Sequence, residues 1–95
     1  LDEAVKYEKG ELKNVKVDRI RIASLPRFHG QQIKVLRKKQ NMTQQLFASA
    51  LGVSIKTVEA WEAGRNIPEG PAQRMLGLME KDEKLLEKYA IVSRE

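Results

Sequence analysis

No cysteine occurs in this chain, which excludes a disulfide framework and a thiolate metal site and leaves side-chain packing to hold the fold. No apolar run approaches the roughly 18 residues that a membrane-spanning helix requires. The opening LDEAVKYEKGE has no apolar stretch of the kind a secretory signal needs, so a soluble cytoplasmic protein with no membrane partner is expected. Histidine occurs once. His29, beside Gly30, has no companion with which to ligate a metal or form an acid–base pair, and a helix cap or surface position is expected. The carboxylates Glu80, Asp82, Glu83 and Glu87 fall at spacings suited to helix-terminal and i,i+4 surface charges, not to a metal cage or a catalytic pair. With 95 residues there is room for one small domain and an appendage, too little chain to enlarge a core around a reactive cleft. Together these absences argue against an enzyme; no catalytic residue, metal ligand or cofactor is assigned.

What is present is positive charge, unevenly placed. The net charge is +5, and residues 13–39 carry nine Lys or Arg against the single acid Asp18, while the ends are nearly balanced or slightly acidic. An anionic partner is favoured.

Three regions follow along the chain, with no internal repeat and no low-complexity tract. In residues 1–25, Leu1, Ala4 and Val5 stand at helical spacing and Gly10 is a stop. NVKVDRIRI comes next, rich in β-branched residues. Val15 and Val17 share one parity and Ile20 and Ile22 the other, so a single flat strand would point apolar side chains to both faces; a bulge or two-sided burial would resolve this. Pro26 marks the boundary. Residues 26–95 then form a helical domain, with a compact part over 28–70 and one or two further helices over 71–95. There Pro71 suits a first helical position, and Ala72, Met75, Leu76 and Met79 follow the i, i+3, i+4, i+7 rule, continued by Leu85, Leu86 and Tyr89. The expected fold class is all-α, a compact bundle of about five helices containing a helix-turn-helix. The N-terminal extension before it is expected to be helical, β-like or both.

The stretch TQQLFASALGVSIKTVEAWEAG, residues 43–64, reads as two short helices with an abrupt join. Thr43 is an N-cap whose hydroxyl accepts from an orphan N–H of the first turn. Phe47, Ala48 and Leu51 share one face. Gly52 ends the helix, because a left-handed backbone there carries no Cβ penalty. Val53 plugs the gap and Ser54 caps the next helix, which buries Val58 and Trp61 and stops at Gly64. Ala48 is small where the two helices must approach most closely. The pattern is helix, tight turn, helix, with steeply crossed axes.

A crossed pair of this kind lets one helix enter the DNA major groove while the other lies across the phosphates. With Val58 and Trp61 buried, Ile55, Lys56, Thr57 and Ala60 are expected to point outward beside Ser54. Lys56 can donate to guanine or phosphate, Thr57 can bond a base edge or phosphate, and Ile55 and Ala60 can touch a thymine methyl. A bidentate base contact is worth roughly 1–3 kcal/mol of discrimination; lysine and threonine seldom supply that geometry, so specificity per half-site is expected to be modest. Gln44 opens the first helix against a phosphate, and Arg65 and Asn66 do the same from the following loop.

The run LRKKQNMTQQLFASALGVSIKTVEAWEAGRNIP resembles the helix-turn-helix of the phage-repressor-like (XRE, or Cro/C1-type) DNA-binding family over about residues 31–80. Ala48, Gly52, Phe47, Leu51, Val53, Val58 and Trp61 occupy the positions that family uses. The resemblance implies a largely buried ion pair between Arg37 and Glu62. It also exposes a departure, since Ile55 and Lys56 stand where some phage repressors carry glutamine, so no operator sequence transfers.

The N-terminal EAVKYEKGE, the β-prone basic segment and WEAGRNIPEGPAQRMLGLMEKDEKLLEKY together resemble HigA-type antitoxins of bacterial toxin–antitoxin pairs. That resemblance implies a cytoplasmic, nucleoid-associated bacterial protein that neutralises a RelE/HigB-like mRNA endonuclease through a segment outside the DNA-binding domain. It also implies repression of the protein's own operon at double-stranded, palindromic operator DNA. The partner segment is residues 1–25, with Tyr7, Val15, Val17, Ile20 and Ile22 as candidate contacts, because an extended segment can offer backbone groups and apolar side chains to a sheet edge. Pairing of that segment with itself or its own domain is the alternative. One DNA-binding module buries only about 600–1,000 Å² on DNA, so a homodimer reading two half-sites about 34 Å apart is expected. Ile67, Met75, Leu76 and Met79, with Leu78, exceed what one thin core needs and are the candidate interface. A stand-alone repressor without a toxin, and a protein-bridging adaptor, are the other readings.

Overall fold

A computed structural model describes residues 14–17 and 19–94. Two short strands, β1 (Asn14–Val17) and β2 (Ile20–Ala23), are followed by five helices: α1 (Gly30–Lys39), α2 (Gln44–Leu51), α3 (Ile55–Glu62), α4 (Gly70–Lys81) and α5 (Leu85–Lys88). The architecture is mainly helical, as expected, and residues 14–23 take the β alternative. The helix expected around Leu1, Ala4 and Val5 lies outside the described residues.

The parity conflict in NVKVDRIRI is resolved by two paired strands in place of one. The strands pair antiparallel with Val15 opposite Ile22 and Val17 opposite Ile20. Directly opposed residues share a face, so the change of direction between Val17 and Ile20 brings both parities to the same side of the ribbon.

Local chemistry sets the helix ends. His29 precedes α1 in extended backbone, and its N–H donates to the Gln32 side chain at 2.9 Å, as in a capping box. Thr43 Oγ1 accepts from Leu46 N at 3.1 Å and Ser54 Oγ accepts from Thr57 N at 3.1 Å, so α2 and α3 each have one orphan donor satisfied. Gly52 closes α2 at φ 79°; the next N–H, of Val53, returns to the Ala48 carbonyl at 2.9 Å. Helix α4 begins one residue earlier than the proline suggests, at Gly70, with Pro71 in the first turn, where its missing N–H costs nothing.

The core runs between the helices through Phe28, Ile33, Leu36, Phe47, Val58, Trp61, Leu76, Met79 and Leu86. Each such side chain contributes about 1.5–3 kcal/mol by leaving water. Helices α1 and α3 approach each other closely at Gly30. A Cβ on Gly30 would lie 2.6 Å from the Glu62 carbonyl oxygen and 2.7 Å from that of Trp61, so only glycine lets α1 start there. Residues 23–28 run along α4: Phe28 N–H donates to Gln73 Oε1 at 2.9 Å, and Arg74 donates to the Ala23 and Ser24 carbonyls at 2.6 and 3.1 Å.

Candidate nucleic-acid interface

Burial of Val58 and Trp61, at 0% and 4% exposure, fixes the rotation of α3. Its exposed sector is Ile55, Lys56 and Glu59. The first two were expected there. Glu59 was missed, although it stands three and four residues beyond them and so shares their face by helical periodicity. A carboxylate at that place can accept from cytosine N4 and disfavours close phosphates.

Two other expectations for this helix are revised. Ala60 is 8% exposed and does not reach outward. The chain turns back at Gly64 (φ 80°), and the Arg65 and Asn66 N–H groups both close onto the Ala60 carbonyl, so the loop covers this part of α3. Thr57 is half-buried, with its hydroxyl 2.9 Å from Ser54 Oγ; it stands in the cap of α3 and at the edge of the exposed sector. Ser54, Arg65 and Asn66 are exposed and flank the sector at its two ends.

The start of α2 is tied to the end of α3 through charge. Arg37 Nε and Nη2 meet the two oxygens of Glu62 at 2.6 and 3.0 Å, and Arg37 Nη1 donates to the Met42 carbonyl at 2.9 Å. This is the ion pair implied by the family resemblance, in bidentate form. Gln44 Nε2 donates to Glu62 Oε1 at 3.1 Å, leaving its second amide hydrogen free for a phosphate. Burial pushes the Glu62 carboxyl up, but the hydrogen bonds from Arg37 and Gln44 and the charges of Arg37 and Lys34 outweigh it, so the group titrates below the ordinary range. The hydrogen bond from Arg37 to the same carboxylate raises the guanidinium further. Both groups are therefore charged at neutral pH, and a single carboxylate links α1, the start of α2 and the end of α3.

Beside α3, a groove of about 830 Å³ runs between the turn and α4, with Leu51, Val53, Ile67, Ala72 and Met75 among its lining and Ser54 and Thr57 at its edge. Of the residues expected at a dimer interface, Ile67 (63% exposed) and the half-buried Met75 face this groove. Leu76 and Met79 do not: both are 0% exposed. They belong to the core, where Leu86, delivered by α5, joins them. Leu78, on the outer side of α4, is 52% exposed.

Of the candidate partner contacts, Ile20 is 64% exposed and Ile22 half-buried. Val15 and Val17 lie on β1 opposite them, and Tyr7 lies outside the described residues. Among the described residues no helix is long and apolar enough to cross a membrane.

Residues 33–81 match the helix-turn-helix family HTH_3, a span that contains α2, the turn, α3, α4 and most of α1. Over 90 residues the chain is 30% identical to antitoxin HigA-2 of Vibrio cholerae serotype O1, covering 95% of this chain and 86% of that relative.

Proposed function

This chain belongs to the XRE-type helix-turn-helix family, a non-enzymatic DNA-binding class, and from that premise we propose that it is a HigA-like antitoxin. In this reading it is a homodimer that represses its own operon from palindromic operator DNA and holds a RelE/HigB-like mRNA endonuclease inactive. Its place of work is the bacterial cytoplasm, on the nucleoid.

The observation that carries the antitoxin role is the extent of the likeness. It spans 95% of the chain, reaching well outside the matched residues 33–81 and into the ribbon. A shared DNA-binding unit alone would not produce that. The ribbon supports the same reading physically, since Ile20 and Ile22 pair in register with Val17 and Val15 and the edge of a ribbon can extend another protein's sheet. On the DNA side, Ile55, Lys56 and Glu59 enter the major groove, while Gln44, Arg65 and Asn66 hold phosphates. The groove beside α3 supports dimerisation through Ile67 and Met75.

Co-expression with a RelE/HigB-like toxin tests the reading. The full chain is expected to rescue growth, and deletion of residues 1–25 to abolish rescue while DNA binding survives. Rescue that persists without those residues would refute the placement of the toxin surface. A full chain that binds DNA but rescues nothing would favour the stand-alone repressor. For the dimer, Ile67→Asp is expected to sediment as a monomer at concentrations where the unaltered chain is dimeric; an unchanged dimer would move the interface elsewhere.

A further inference from the structure

Helix α1 carries cations on two flanks, and the structure distinguishes them. On one flank Gly30 lies against the Trp61 and Glu62 carbonyls, and Arg37 bonds the Glu62 side chain. That flank therefore adjoins the end of α3. Lys34 stands one turn from each of those residues, and Lys38 one turn further along. Both lysines are exposed. Neither forms an ion pair among the described residues. The carboxylate nearest to hand, Glu62, is already held by Arg37 and Gln44, and its side chain is only 6% exposed. On the other flank, Lys39 lines one hollow with Glu80 and another with Glu83, Glu87, Lys84 and Arg94, so acids and cations are mixed around it.

We propose that the flank of α1 bearing Lys34 and Lys38 is a further DNA-contacting surface, which receives phosphates bordering the groove that α3 enters. Two observations select DNA as the occupant. The flank is continuous with the reading surface through Glu62, which bonds Arg37 on one side and Gln44 on the other. The charged side chains that α1 itself exposes on this flank are both cationic, complementary to a phosphate chain, and the carboxylate of α3 that feels Lys34, Glu62, is already bonded by Arg37 and Gln44. Helical spacing alone does not tell these lysines from a solvated helix face; the contact between α1 and α3 separates Lys34 and Lys38 from Lys39. The proposal rests on DNA binding by the family and adds to the surface formed by α3 and its flanking loop.

The test is duplex affinity as a function of salt, using a DNA site that the unaltered chain selects from a random-sequence pool. Each phosphate contact contributes about 0.9 to the slope of log affinity against log salt, equivalent to about a five- to tenfold change in affinity near 0.1 M salt. Lys34→Gln is expected to make the slope shallower by about that amount, with base preference unchanged. Lys38→Gln is expected to act in the same direction, Lys34→Arg to keep the slope, and Lys39→Gln to leave it unaltered. Unchanged slopes for Lys34→Gln and Lys38→Gln in chains that melt like the original would overturn the proposal. So would a lowered melting temperature for Lys34→Gln without any change of slope, which would leave Lys34 serving Glu62 alone. Failure of the unaltered chain to bind any selected duplex would defeat the DNA reading itself along with this one.

Discussion

In residues 43–64, nearly every closing bond lies within the unit. Thr43 and Ser54 cap their own helices, Gly52 turns the chain so that Val53 returns to Ala48, and the loop after α3 folds onto Ala60. The β1–β2 ribbon is held differently. Arg74, 51 positions from Ala23, donates to the two carbonyls at its end, and Ile20 remains 64% exposed. A unit closed by local bonds keeps its geometry whatever it docks against, which suits reading a duplex of fixed shape. A ribbon tied at one end, with an apolar face, suits a partner that completes it.

The contrast can be broken most strongly at Glu62. Glu62→Ala strands Arg37 in a nearly buried place and releases Gln44, and is expected to cost about 3–5 kcal/mol in equilibrium unfolding, with α1, α2 and α3 losing hydrogen-exchange protection together. A loss under 1 kcal/mol would mean that the helices hold one another without this carboxylate. The same group sets an acid limit. Its folded pKa is depressed, so its stabilisation is fully present above the ordinary glutamate value of about 4.3 and is lost as pH falls through the lower folded value. Urea midpoints measured downward from pH 5 are expected to fall in the original chain, and to fall less in Glu62→Gln.

Smaller effects sharpen the comparison. Gly30→Ala forces a methyl against two carbonyl oxygens and is expected to cost about 1–3 kcal/mol as the helices shift. Ser54→Ala removes a cap and is expected to cost about 1 kcal/mol, read as a lower denaturant midpoint with unchanged slope. Arg74→Gln is expected to leave global stability within about 1 kcal/mol while amide exchange in the ribbon accelerates and that in α2 and α3 stays the same. Equal acceleration everywhere would show that ribbon and reader are one cooperative unit.

The same division explains what could be read in advance. The caps, the glycine turn and the buried face of α3 were legible because each depends on residues within five positions of one another. The Arg37–Glu62 pair, 25 positions apart, came only with the family resemblance. Leu76 and Met79 share an apolar stripe with Met75, and periodicity cannot decide which members of a stripe meet the core and which a partner. The arrival of α5 decides it. Ala60 depended on where the following loop folds. The ribbon escaped because the two residues between its strands include neither glycine nor asparagine, the usual marks of a tight hairpin, so two short strands looked like one with inconsistent faces.

The central claim is that the exposed sector of α3 reads bases. Selection from a random duplex pool, run in parallel with the original chain and with Lys56→Ala, tests it most directly. The account expects the variant to fold normally, bind its best site more weakly, and lose preference at one base pair if Lys56 meets guanine, or lose salt dependence at unchanged preference if it meets a phosphate. A folded variant with the same affinity, the same preferred site and the same salt slope would contradict it.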